Sequence, residues 1–351
     1  MELKELLAEA NRMGASDFFI IPGACASCKV NGEIIAVSEK RLSPADSEEL
    51  VKQAYELAGR SMNHLERDGD DDFSFPLPGV SRFRCNAYYQ RGTLAATCRM
   101  IAFELPDPTT LNIPQAVINL SSMQNGMILV TGPAGSGKST TLACIIDWIN
   151  TNRSGHIVTI EDPIEYLHKH KRSLISQREV PNDARTFSRA LRAVLRQAPE
   201  VIMLGEMRDL DTIRTAITAA ETGHLVLSSL HTTGASKTVD RILDTFPAEQ
   251  QAQIRMQLSM VLRAVVSQKL IPRKDGEQMA VFEVMVNNPA IQNLIRDGRT
   301  QQIDNVIFGG TAQGMIAMDA ELQRLFRTGV ITKETALLYA MSPETLSKRL
   351  L

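Results

Sequence analysis

The sequence predicts an α/β domain built on a mostly parallel sheet and preceded by a small α+β domain. Three observations carry that expectation. The apolar run Met127-Ile128-Leu129-Val130-Thr131 leads straight into Gly132-Pro133-Ala134-Gly135-Ser136-Gly137-Lys138-Ser139-Thr140-Thr141, and a helix-like segment, Leu142–Asn150, follows. From Ile113 onward strand-like runs alternate with helix-like ones, the pattern of a parallel sheet covered by helices. Between the halves, Leu105-Pro106-Asp107-Pro108-Thr109-Thr110 has two prolines and no periodicity, so it reads as a linker. The expected division is residues 1–104, a linker at 105–112, and residues 113–351.

Composition narrows the class. Of 351 residues, 44% are hydrophobic and 22% charged, ordinary for a chain that buries a full core. Forty acids against 38 bases leave a net charge of −2, which argues against non-specific nucleic-acid binding by the whole molecule. No apolar run approaches the roughly 18 residues of a membrane span. Met1-Glu2-Leu3-Lys4-Glu5 lacks the basic-then-apolar layout of a signal peptide. With five thinly spread cysteines, a reducing cytosol is expected. Cys25-Ala26-Ser27-Cys28 has no second ligand pair at zinc spacing, and small side chains beside a strand account for it.

In chain order, Leu3, Leu6, Leu7 and Ala10 predict a helix over residues 2–13, and Phe18–Ile21 a buried strand. Asn31-Gly32 between strand-like flanks predicts a type I′ hairpin over Cys28–Val37. A helix is expected from Pro44 to about Glu66, then an acidic break from Asp68 to Asp72. Strands are expected at Phe73–Phe75, Arg82–Gln90 and Leu94–Phe103, with Pro76-Leu77-Pro78-Gly79 separating the first two. In the second half the candidate strands are Met127–Thr131, His156–Glu161, Val201–Leu204 and Leu225–Ser229. Phe187, Ala190, Leu191, Val194, Leu195 and Ala198 share one helical face, with Arg185, Arg189, Arg192 and Arg196 opposite. That stripe is either a solvated face or a contact with a neighbouring subunit or a phosphate. Helices are also expected at Gln250–Lys269 and Pro289–Asp297 and through most of Met318–Leu351.

The glycine-rich stretch fits G-x-x-x-x-G-K-[ST] in its proper setting of strand, loop and helix, a triphosphate-binding P-loop. Glycines let backbone N–H groups turn toward phosphate oxygens, and the helix N-terminus adds its positive dipole end. Gly132, Ala134, Gly135, Ser136, Gly137, Ser139, Thr140 and Thr141 are the expected cradle. Lys138 is expected to reach the β- and γ-phosphates and the Ser139 hydroxyl to hold Mg²⁺.

Acids that hydrolysis requires fall at two strand ends, where ligands sit in α/β sheets. Glu161-Asp162-Pro163-Ile164-Glu165 packs three carboxylates into five residues, which repel one another unless a cation or water is present. Val201–Leu204 ends in Gly205-Glu206-Met207-Arg208-Asp209, like a Walker B strand with glycine at the usual aspartate. Glu206 then acts on the metal through water rather than directly. His224 and His231 bracket the next strand, so one lies at each end. His231 is a candidate γ-phosphate sensor, whereas His224 is either that or a packed side chain. For the transition-state cation the candidates are Arg82, Arg84, Arg91 and Arg99 of the first half, with Arg82 and Arg84 on one face of a strand. Solvent-facing arginines that protect an edge strand are the alternative.

Together these blocks resemble the secretion-ATPase superfamily: the P-loop at 132–139, the Asp box Ile160–Glu165, the Walker B box Gly205–Asp209 and the His box of His224 and His231. Within it the chain resembles the retraction ATPases of type IV pili, through Gly14-Ala15-Ser16-Asp17, Arg82-Phe83-Arg84-Cys85-Asn86, Ala220-Glu221-Thr222-Gly223-His224 and Phe246-Pro247-Ala248-Glu249. The resemblance implies a PAS-like N-terminal domain, a RecA-like P-loop NTPase domain with C-terminal helices, and a homohexameric ring. It also implies ATP bound between domains at subunit boundaries, with Glu165 as catalytic glutamate, Glu206 as the Walker B glutamate, and arginines of the small domain or a neighbour completing the site. ATP and Mg²⁺ are the implied cofactors, and an inner-membrane pilus platform protein the implied partner. The expected place is the cytoplasm at the inner face of the membrane, held there only through that partner, with no stable nucleic-acid complex.

Extension ATPases of related systems have a longer N-terminal region and usually a four-cysteine zinc insertion, and neither is in this sequence. Ala290-Ile291-Gln292-Asn293-Leu294-Ile295-Arg296 resembles the motif that marks retraction ATPases, with Gln292 in place of arginine. Phe18-Phe19-Ile20, where the family has a Leu-His-Leu type of sequence, and Met315–Met318 also depart from the pattern. The functions these features imply are an ATP-hydrolysing retraction motor or, as rivals, an extension or secretion ATPase, a ring NTPase translocating nucleic acid, and an inactive nucleotide-binding paralogue.

Overall fold

The computed structural model describes residues 2–101 and 105–350. It divides into two compact units, Met1–Glu104 with Pro163–Leu167, and Leu105–Asp162 with His168–Leu351.

The first unit contains α1 (Leu3–Arg12), β1 (Asp17–Ile20), β2 (Cys25–Val30), β3 (Glu33–Arg41), α2 (Pro44–Ala58), α3 (Asn63–Asp68), β4 (Asp70–Leu77), β5 (Ser81–Gln90) and β6 (Thr93–Ile101). Its strands form one antiparallel sheet in the order β3-β2-β1-β6-β5-β4. Helix α1 buries Leu3, Leu7 and Ala10, one face at helical spacing. Asn31 (φ 50°) and Gly32 (φ 88°) both adopt the left-handed conformation that a type I′ turn demands. The single helix expected over Pro44–Glu66 is instead two, because Gly59 takes φ 61° and caps α2. The expected acidic break lies partly inside β4, which also runs through Pro76. As an edge strand β4 tolerates a residue without N–H. Asp71 is buried there, yet satisfied by Tyr55 Oη (3.0 Å) and Arg60 Nη2 (2.9 Å). Residues 102 and 103, the end of the strand expected over Leu94–Phe103, lie outside the described residues, as does residue 104 at the expected domain boundary.

The second unit begins with α4 (Gln115–Asn119), β7 (Gly126–Thr131), α5 (Lys138–Asn152), β8 (His156–Glu161), β9 (Leu174–Glu179), α6 (Phe187–Val194) and β10 (Val201–Leu204). It continues with α7 (Leu210–Glu221), β11 (Leu225–Leu230), α8 (Ala235–Asp244), α9 (Ala248–Val261), β12 (Leu262–Pro272) and β13 (Gln278–Val286). Helices α10 (Pro289–Arg296), α11 (Ile303–Gly309), α12 (Met318–Arg327), α13 (Lys333–Tyr339) and α14 (Pro343–Arg349) complete it. The sheet runs β13-β12-β7-β11-β10-β8-β9, with every pairing parallel except β12 with β13. Side chains alternate across it. Met127 and Leu129 of β7 face the layer of α6, α7, α8 and α9, whereas Ile128 and Val130 face α4 and α5. Both faces are covered, so β7 and β11 are buried along their whole length rather than alternating.

The helix expected over Gln250–Lys269 is a helix only to Val261; Leu262 turns extended and the chain enters β12. Val265-Val266 is a β-branched pair that gains more from a sheet centre than from another helical turn. Helix α6 likewise stops at Val194, short of the expected Ala198, which has φ 50°. Arg185, Arg189, Arg192 and Arg196 are all exposed. Among the described residues no helix is long and apolar enough to cross a membrane.

Phe83, fully buried and stacked on Phe75 at 5.4 Å, is the centre of the first unit's core. Phe83→Ala is expected to cost about 3–5 kcal/mol. Denaturant unfolding checks this, and a midpoint equal to that of the unsubstituted protein would contradict the packing described.

Candidate active site

Strand β7 ends on Thr131, and the next seven residues form the glycine-rich loop and the first position of α5. Gly132 has φ 146°, and a Cβ there would stand 2.2 Å from the backbone oxygen of Gln268. Gly137, at φ 87°, has Gln268 Nε2 3.2 Å from the same imagined atom. Glycine is thus required by both conformation and close approach. Ala134 and Gly135 are exposed at the loop tip, and Ser136 is buried beneath it. Lys138 is 8% exposed, and its Nζ donates to Gly132 O (3.0 Å) and Pro133 O (2.9 Å). Ser139, Thr140 and Thr141 follow on the first turn of α5, whose unpaired N–H groups and dipole favour an anion.

Gln268 escaped the sequence reading. It is 1% exposed on β12; its Nε2 donates to Ser136 O and its Oε1 accepts from Thr141 Oγ1 at 2.8 Å. One side chain therefore fixes the loop to the helix that follows it. Its signal was hidden in a stretch that reads as helix, where a glutamine looks like a surface residue.

The topology aligns the remaining groups. Strands β7, β11, β10 and β8 are parallel neighbours, so their C-terminal ends form one edge carrying the loop, His231, Glu206 and Glu161 in that order. Glu206 Oε2 lies 2.6 Å from Arg208 Nε and 3.6 Å from His231 Nε2. Ser229 Oγ donates to Gly205 O at 2.6 Å, tying the ends of β11 and β10 together. A Cβ on Gly205 would meet Glu161 Cα at 3.4 Å, ordinary contact, so packing alone does not exclude a side chain there.

The three acids of the Asp box differ in their settings. Glu161 is buried and accepts from Thr159 Oγ1 (2.6 Å) and Gln177 Nε2 (3.2 Å), whereas Asp162 is exposed. Glu165 is exposed in Pro163–Leu167, the segment that belongs to the first unit. His224 lies at the opposite sheet edge from His231, its Nδ1 2.9 Å from Ala219 O, where it closes the end of α7. Arg82, Arg84 and Arg99 belong to the first unit. Arg84 grips Asp72 (2.6 and 3.3 Å), Arg99 Nε bonds Asp17 at 3.0 Å, and the two arginines are register partners on β5 and β6. Arg82 stands two residues along β5, as the strand period requires.

A cavity of ≈ 400 Å³ opens beside the loop, bounded by Asn112, Ile113, Thr140, Gln268, Leu270 and Phe282 among others. Asn112, at φ 57°, is held by its Nδ2 on Ala280 O at 3.1 Å. Among the described residues no three His, Cys, Asp or Glu side chains gather as a metal cage. The oxygen donors at the edge, Ser139 and Glu206, suit an ion such as Mg²⁺ that keeps most of its ligands from phosphate and water.

Residues 108–337 match the family described as type II/IV secretion system protein. The chain belongs to that family. It is 42% identical to the type IV pilus retraction ATPase PilT of Pseudomonas aeruginosa over 98% of this chain and 99% of that protein. It is 44% identical to a twitching motility protein of Neisseria gonorrhoeae over 91% of this chain and 85% of that one. A crystal structure of the pilus retraction motor PilT with bound ADP superposes with a TM-score of 0.90 at 43% identity, covering 99% of each chain. The fold of the family member described here is therefore that of a secretion-type ATPase, as its mixed α/β architecture and parallel sheet require.

Gln268→Ala leaves the buried Ser136 carbonyl and Thr141 hydroxyl without their partner, at about 1–3 kcal/mol each. Affinity for ADP measured by calorimetry is expected to fall about tenfold or more; an unchanged Kd would contradict the bracing role.

Proposed function

We propose that this chain is an ATP-hydrolysing motor that drives type IV pilus retraction. The observation that carries the reading is the glycine loop with Lys138 at the end of one parallel strand, with His231 and Glu206 just past the ends of the next two. The full-length similarity to retraction ATPases agrees with it.

Backbone N–H groups of Gly132–Ser139 hold the phosphates, Lys138 bridges toward the γ-phosphate, and the base and ribose enter the cavity walled by Ile113, Leu270 and Phe282. Ser139 would hold Mg²⁺, with Glu206 acting through water, and the ion would supply positive charge to the phosphates. Glu165 takes the proton of the attacking water as general base, and Glu206 orients that water. His231 reports the γ-phosphate to Glu206 by hydrogen bonding. The transition-state charge is met by Arg82, Arg84 and Arg99, from the small domain of the same or a neighbouring subunit. Arg84 pairs with the exposed Asp72, and such a pair is worth little, so it exchanges for phosphate readily; Arg99 is itself exposed and holds the half-buried Asp17.

The working assembly in this proposal is a homohexamer at the cytoplasmic face of the membrane. It is held there through a pilus platform protein, and domain closure on ATP turns hydrolysis into displacement of that partner. The division proposed is the small domain over 1–104, the linker over 105–112 and the motor over 113–351.

Lys138→Ala is expected to abolish phosphate release, and Glu165→Gln to retain unhydrolysed ATP after gel filtration. Hydrolysis by Glu165→Gln at the unsubstituted rate would overturn the assignment of the base.

A further inference from the structure

The turn that carries His231 is held by two buried side chains outside the P-loop and the strand-end acids. Gly234 and Ala235 open α8, and their N–H groups are among the donors a helix leaves without an internal acceptor. Gly234 N–H donates to Ser267 Oγ at 2.8 Å, and Ala235 N–H donates to Glu283 Oε1 at 3.0 Å. Ser267 on β12 and Glu283 on β13 are register partners on one face of the sheet, 0% and 5% exposed. Thr238 Oγ1 donates to Gly234 O at 2.8 Å and lies 2.8 Å from Thr232 Oγ1, which closes the turn. Gly234 has φ 92°, and a Cβ there would strike Met341 Cε at 2.6 Å.

We propose that Glu283, with its strand partner Ser267, is a positioning residue for ATP hydrolysis: it fixes the start of α8 so that His231, at the other end of the same turn, stays opposite Glu206. The inference rests on the reading of Glu206 and His231 as part of the hydrolytic site.

A buried carboxylate is a costly way to cap a helix that serine or asparagine would cap equally well. Its distinguishing property is charge. The groups facing it are Lys269 on β12, Asp304 on α11 and Asp319 on α12, with Lys237 of α8 close to Lys269 and Asp304. Burial above all, then the two aspartates, raise the Glu283 carboxyl to about 7, against the pull of the Ala235 N–H and Lys269. The ionised carboxylate grips the positive end of α8 more firmly than the neutral acid does. Turnover should therefore rise as the pH passes through about 7. Stability runs the other way: a raised carboxyl pKa favours the fold below its ordinary value, and that contribution is lost as the pH climbs through the raised one.

Glu283→Gln keeps the size and the acceptor and removes the charge. In steady-state ATP hydrolysis over pH 6–8, kcat is expected to be about tenfold lower at the alkaline end and to converge on the unsubstituted value toward pH 6, with the KM for ATP within about twofold and the limb near neutrality gone. A limb that persists in this variant overturns its assignment to Glu283, since His231 is still present. Unsubstituted kcat and pH profile would overturn the proposal, as would a loss of ATP affinity as large as the loss of kcat, which marks general support. If Glu283→Gln does not fold, Ser267→Ala carries the test: a kcat several-fold lower at constant KM supports the proposal, and an unchanged kcat overturns it. The underlying site reading fails separately, if His231→Ala hydrolyses ATP normally.

Discussion

The site depends on how closely β12 approaches the glycine loop. The backbone oxygen of Gln268 stands where any side chain on Gly132 would have to go. Only glycine lets the strand and the loop pack at that distance, and only that packing lets the Gln268 amide hold Ser136 and Thr141 at once. The loop is thus braced by the protein's own side chains. Preorganised N–H donors cost no rearrangement when the anion binds, which is how a loop with one lysine captures a triphosphate.

The same strand serves three regions in three consecutive residues. Side-chain alternation sends Ser267 to the turn that carries His231 and Gln268 to the phosphate loop. Lys269 Nζ then donates to Tyr339 O at 2.7 Å, reaching the C-terminal helices, where Asp319 accepts from the N–H groups of Met341 and Ser342. A shift of β12 would be felt at the phosphate loop, at the turn that carries His231 and in the tail. In a motor, that coupling between a nucleotide site and a distant helical surface is the property needed.

Much of this was legible in the sequence because local chemistry decided it. Strands β7, β8, β10 and β11 are mostly apolar and run into glycine, acid or histidine, so their limits and the residues at their C-terminal ends could be read directly. The Asn31-Gly32 hairpin was equally plain. What escaped was decided by tertiary context. Val261 passes from helix to strand at Leu262 with no glycine or proline to mark it, so β12 reads as the continuation of α9 and Gln268 as a surface glutamine. Gly59 was the overlooked signal that α2 ends. The edge strand β9, Leu174–Glu179, has mixed polarity and shows little period, and β13 has its charged Glu283 in the middle of an apolar run. That glutamate makes sense only beside the start of α8.

Retraction, as opposed to nucleotide hydrolysis in general, is the central claim, and it is a claim about direction of work. The most direct measurement is to delete the gene in its own host, count pili on the cell surface by electron microscopy and follow twitching on agar. A retraction motor leaves cells with excess pili that no longer twitch; bald cells would contradict the account and point to an extension motor instead.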